Sequence, residues 1–179
     1  MLDRGVAVLC VLFLLTCPTL AKQRDTDLPP PDPQDQWRIV THESATSQCI
    51  GNFKTSLCTI DSALAASLRG DKKLHEQTWN HPIEWEPIPD SPWRWVKYRV
   101  VSSGRFKPGD RRRDDRGRTM DWRPNDVWVI VDVRKCESQD NCSGPDTEED
   151  WKYWPARFIL HKSGKRWVLI YRGEWHWRQ

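Results

Sequence analysis

The sequence carries few of the short patterns that announce chemistry. It has no Cys-x-x-Cys pair, and no His stands at ligand spacing from a Cys, so a structural metal site is disfavoured. Its five His, at 42, 75, 81, 161 and 176, form neither His-x-x-x-His nor His-Glu-x-x-His, which argues against a zinc hydrolase. Gly-x-Ser-x-Gly and Walker-type loops are absent, and no internal repeat is evident. No metal and no cofactor is expected. The net charge of +3 is too weak to argue for a nucleic-acid partner. The apolar run Val6–Cys17 is too short for a comfortable membrane span.

That run instead reads as part of an export leader over residues 1–21. Arg4 gives it a positive start, and Thr19-Leu20-Ala21 offers small residues for cleavage. Lipidation at Cys17 is an alternative that Thr16 fits poorly. With the leader removed, no transmembrane segment remains, and the expected location is periplasmic or extracellular. Four of the six Cys then remain: Cys49, Cys58, Cys136 and Cys142. In an oxidising compartment an even number predicts two disulfides, and the local pairing 49–58 with 136–142 closes loops of sensible size. Residues 22–36 hold four Pro and no aromatic, and are expected to be an extended spacer.

Residues 37–179 read as one α+β domain. Trp37, Ile39 and Val40 could open a strand. Leu57, Ile60, Leu64 and Leu68 recur at helical spacing within 48–72, with Ser56 or Thr59 as cap and Gly70 as terminator. A second short helix is expected over 71–79. Pro82, Pro87, Pro89 and Pro92 forbid a helix in the next stretch. Val96, Tyr98 and Val100 alternate in a strand over 93–102, and Val127, Val129, Val131 and Val133 do so in another over 126–135. Ala156–His161 and Arg166–Arg172 form the closing hairpin around Lys162-Ser163-Gly164-Lys165. The sum is N-terminal helices packed on a curved, mainly antiparallel sheet of four or more strands.

The helix ending Ala65-Ala66-Ser67-Leu68-Arg69-Gly70-Asp71 and the turn Gly164-Lys165-Arg166-Trp167 before Val168-Leu169-Ile170 resemble the nuclear transport factor two-like family. That family shares a cone-shaped α+β fold with ketosteroid isomerases and SnoaL-type proteins. The resemblance implies a pocket between helices and sheet, and a non-catalytic binder or an enzyme with a pocket Asp or His. It also implies a homodimer as one arrangement. The insertion 105–118 and the Pro-rich loop 81–92 depart from its compact pattern.

Three groups of residues are candidate sites. His161, at a strand end, could work as an acid–base pair with Asp132 across the sheet in a small isomerase- or hydrolase-like enzyme. Arg111, Arg112 and Arg113, in a stretch with seven basic and three acidic residues, could bind carboxylate, sulfate or phosphate. Asp110, Asp114 and Asp115 in the same stretch could equally neutralise them. Trp175 and Trp177, among twelve Trp, could stack on a polysaccharide, although Trp is buried on average and pairs readily with Arg inside proteins. The leading expectation is a non-catalytic domain that binds a small molecule, an anionic surface or a protein. No nucleic-acid partner is expected.

Overall fold

The structure, a computed structural model, describes residues 27–41, 48–80, 94–113, 119–138, 142 and 154–174. Seven strands and two helices are assigned among them. β1 (Arg38–Thr41) comes first, then α1 (Ser56–Arg69) and α2 (Lys72–Thr78). β2 (Trp95–Arg105), β3 (Arg111–Arg113), β4 (Thr119–Asp121), β5 (Val127–Cys136), β6 (Trp154–Ser163) and β7 (Arg166–Glu174) follow. Five strands form a curved antiparallel sheet in the order β1-β2-β5-β6-β7, and β3 and β4 pair separately. The α+β reading with a curved sheet therefore holds. The helices sit between β1 and β2 instead of opening the ordered chain.

α1 starts and stops for local reasons. The Thr55 hydroxyl accepts from the Cys58 N–H, and Gly70 closes the helix at φ 65° in the left-handed region. The cap is thus one residue ahead of Ser56, the nearer of the two expected. The Asp71 carboxylate caps α2 by accepting from the Leu74 N–H. Cys49 is bonded to Cys58 and Cys136 to Cys142, the local pairing. The first bond ties the 48–55 loop to the first turn of α1.

Ile60, Ala63 and Leu64 of α1 pack on one sheet face, against Val96, Tyr98 and Val100, the four Val of β5, Phe158, Leu160, Trp167 and Leu169. Period-two alternation puts these residues on one side of the pleat, as the valine spacing predicts. Tyr98 adds a polar tie across the layer. Its hydroxyl donates to Asp61 Oδ1 of α1 at 2.5 Å. Burial raises the Tyr98 pKa well above the usual phenol value, and the Asp61 charge adds to this. Burial raises Asp61 as well, against the opposing Tyr98 hydrogen bond.

The opposite face carries Phe106, Trp122 and Ile159, with Trp128, Ile170 and Tyr171 against them. Phe106 and Trp122 stack with ring centres 5.1 Å apart. Gly104 lies across from Trp128, and a Cβ at 104 would come within 2.5 Å of the indole. A glycine is needed there for the ring to lie over the strand.

Residues 27–37 are not a detached spacer. β1 covers β2 only from Trp95 to Tyr98, and the Pro-rich stretch takes over beyond it. The Asp32 N–H donates to Val100 O (2.8 Å), and the Val100 N–H donates to Asp32 Oδ2 (2.8 Å). The Ser103 hydroxyl donates to Pro29 O. The turn at Pro33–Gln36 separates this segment from β1. Pro29, Pro30, Pro31 and Pro33 have no N–H to give, so Asp32 supplies the donor, and its carboxylate stands in for a strand carbonyl. Arg38 holds that carboxylate with two bonds, 2.7 and 3.0 Å. This pairing is the main reason the Arg38 pKa is raised. Leu28 reaches the main core, and Lys97 and Arg99 lie over the Trp37 ring at 4.9 and 5.0 Å. Composition missed this because a sheet edge needs very few donors from whatever lies along it.

Candidate functional site

A cleft and a corner on the described surface each bring several polar side chains together. The cleft, of about 470 Å³, lies between α2 and the β6–β7 hairpin. Lys73, Glu76, Gln77, Asn80, Ser163 and Arg166 line it, with Trp79 and Val168 as its apolar part. Main-chain bonds fix its walls. Trp79 bridges to Leu169, and the Asn80 N–H donates to Leu169 O at 2.9 Å. The Trp167 N–H donates to Phe53 O at 2.7 Å. Arg166 donates to Gln77 O and stands 4.7 Å from the centre of the Phe53 ring, which holds the guanidinium at the rim. His75, on α2, lies 5.8 Å from the Trp79 ring. Burial lowers its pKa, the Arg172 charge adds to this, and Glu76 opposes them.

The second place is the corner where β5 begins and β6 ends. Pairing of Val127 with Leu160 sets Asp126 beside His161. Asn125, at φ 79°, lets the chain turn sharply between Arg123 and Asp126. In that turn the Asp126 N–H donates to Arg123 O at 3.0 Å, and the Arg123 N–H donates to Asp126 Oδ2 at 2.9 Å. The other carboxylate oxygen meets His161 Nδ1 at 2.7 Å. The Asp126 side chain is 2% exposed and that of His161 21%. Arg123 approaches the far ring nitrogen, Nε2, at 3.4 Å.

The acid–base pair expected from sequence is therefore not assembled. Asp132 has the right strand parity but sits opposite Pro155, well along β5 from His161. It is held by Arg99 at 2.8 and 3.0 Å. The partner of His161 is Asp126. Among the described residues its hydrogen-bond neighbours are a carboxylate and a guanidinium, and neither is a nucleophile that the imidazole could activate. Among the described residues, no group of three or more His, Cys, Asp or Glu is placed to hold a metal.

Arg111, Arg112 and Arg113 form β3, paired with Asp121, Met120 and Thr119 of β4. These three Arg therefore belong to a two-stranded pairing separate from the five-stranded sheet. Trp175 and Trp177 lie outside the described residues, as does Trp93. Trp122 and Trp167 are buried, and Trp37, Trp79, Trp95 and Trp128 are partly covered. Among the described side chains no Trp presents a fully exposed platform. No helix among the described residues is long and apolar enough to cross a membrane.

Asp126, Arg123, Lys73 and Arg166 went unmarked in the sequence. Arg123-Pro124-Asn125-Asp126 carries a turn signal that could have pointed to the corner. The cleft has no local signal, because α2 and the hairpin are far apart in the chain. No known family model matches the sequence, and neither curated proteins nor solved structures give a match.

Proposed function

We propose that this is an exported, non-catalytic binding domain that takes a small, polar, anionic molecule in the cleft between α2 and the β6–β7 hairpin. The observation that carries the reading is the lining itself. Lys73 and Arg166 outnumber the one carboxylate, Glu76, and the amides of Gln77 and Asn80 stand with them around about 470 Å³. That volume falls within the usual range for small-molecule pockets. The polar lining selects against an apolar ligand, and a guanidinium suits a carboxylate through paired hydrogen bonds. Export draws on the leader-like start and on the two disulfides, which persist in oxidising compartments. The nuclear transport factor two-like reading draws support from the curved antiparallel sheet with helices on one face.

The test is calorimetric titration with glucuronate and with citrate. Wild-type protein should bind at least one of them, and Arg166→Ala should weaken that binding about tenfold, the size of one lost charge-assisted hydrogen bond. Melting temperature monitors whether the variant still folds. The reading fails if neither probe binds, or if Arg166→Ala and Lys73→Ala both keep wild-type affinity.

A further inference from the structure

The geometry points to a second anion site at the Arg123–Asp126–His161 corner, one that takes up a proton as it binds a tetrahedral oxyanion such as a sulfate or phosphate group. Asp126 is the anchor. It is buried, and both of its oxygens are engaged, one by the Arg123 N–H and the other by His161 Nδ1. A buried carboxylate requires donors, so Nδ1 carries a hydrogen, and in the neutral form of the ring the lone pair is on Nε2. Arg123 faces that lone pair at 3.4 Å, the long end of hydrogen bonding. An oxyanion arriving here accepts from the Arg123 guanidinium. It can also accept from Nε2 once that nitrogen is protonated, and the imidazolium is then held between two anions.

Arg105 reaches the turn by donating to Asn125 O, whereas Lys162, next to His161 in β6, lies on the other face over the Trp167 ring. Both are drawn to Asp27, at 3.5 and 2.9 Å, so Arg123 is the cation that faces His161. The added proton and the added anion compensate each other. The Arg123 side of the corner lies in an exposed turn, so a ligand has access. This site is separate from the cleft and does not depend on it.

Inorganic sulfate is the first probe, because it does not titrate in the range used. Calorimetry of the full chain at pH 6 and pH 8, in two buffers of different ionisation enthalpy, reads affinity and proton uptake together. Sulfate should bind about tenfold more weakly at pH 8, with uptake of part of one proton at intermediate pH. Arg123→Ala should abolish binding. His161→Gln should keep a weaker binding with neither pH dependence nor proton uptake. Lys72→Ala, which removes a charge from the exposed side of α2, should leave all of this unchanged. A parallel titration with inorganic phosphate at pH 6 decides which ester class the site prefers. The proposal is overturned if neither anion binds, if Arg123→Ala binds as wild type does, or if proton uptake is absent or survives in His161→Gln.

Discussion

On the helix side of the five-stranded sheet, the inward rows are Val, Tyr, Phe, Leu and Trp in one continuous cluster. On the other side, aromatic residues alternate with Lys97, Arg99, Asp132 and Arg157, and the apolar cluster is smaller. The first face is held by area removed from water, the second by rings laid over strands and over cations. The difference teaches where substitution should be tolerated. A filled apolar layer resents any void, whereas a charged face loses little when one exposed pair is removed.

The sharpest way to break the comparison is Trp167→Ala. Trp167 is fully buried on the helix face, and its loss should cost about 3–5 kcal/mol in urea unfolding. A loss no larger than that of an outer-face variant would show that the two faces are equivalent. Gly104→Ala tests the exception on the outer face. The added methyl meets Trp128, and the expected loss is about 1–3 kcal/mol, with a change in Trp fluorescence as the ring is displaced. Asp132→Ala removes the partner of Arg99 in a part-buried pair, with side chains 22% and 21% exposed, and should cost about 1–2 kcal/mol.

The smallest effect is pH-dependent. His75 is neutral on the helix side, with a folded pKa below its usual value, so the unfolded chain binds its proton more readily. Its contribution to stability is present above the ordinary His pKa of about 6.5 and is lost as pH falls through the lower folded value. Urea midpoints measured between pH 7 and pH 5 should fall less steeply in His75→Gln than in wild type.

The helix-side face was largely legible in the sequence. Val127, Val129, Val131 and Val133 alternate so regularly that their shared face needed no structure, and Gly70 marked the end of α1. The corner at His161 was only half legible. Alternation says which face a residue occupies but not which residue stands opposite, since that depends on strand register. Asp132 and Asp126 share a parity, and only the pairing of Val127 with Leu160 chooses between them. The cleft was not legible at all, because it joins α2 to a hairpin far away in sequence. Residues 29–33 misled for a different reason. Proline makes a poor strand, yet it can still lie along one.

That last point bears on how the chain could be shortened. The composition of residues 22–36 invites trimming to Trp37. Such a cut would take Leu28 out of the core and strip Asp32 from Arg38 and from the Val100 main chain. β2 beyond Tyr98 would then present bare N–H and C=O groups on its outer side, a template for strand-to-strand association. The shortened chain should precipitate or form oligomers, and the stretch that looks most dispensable is what keeps the sheet from growing.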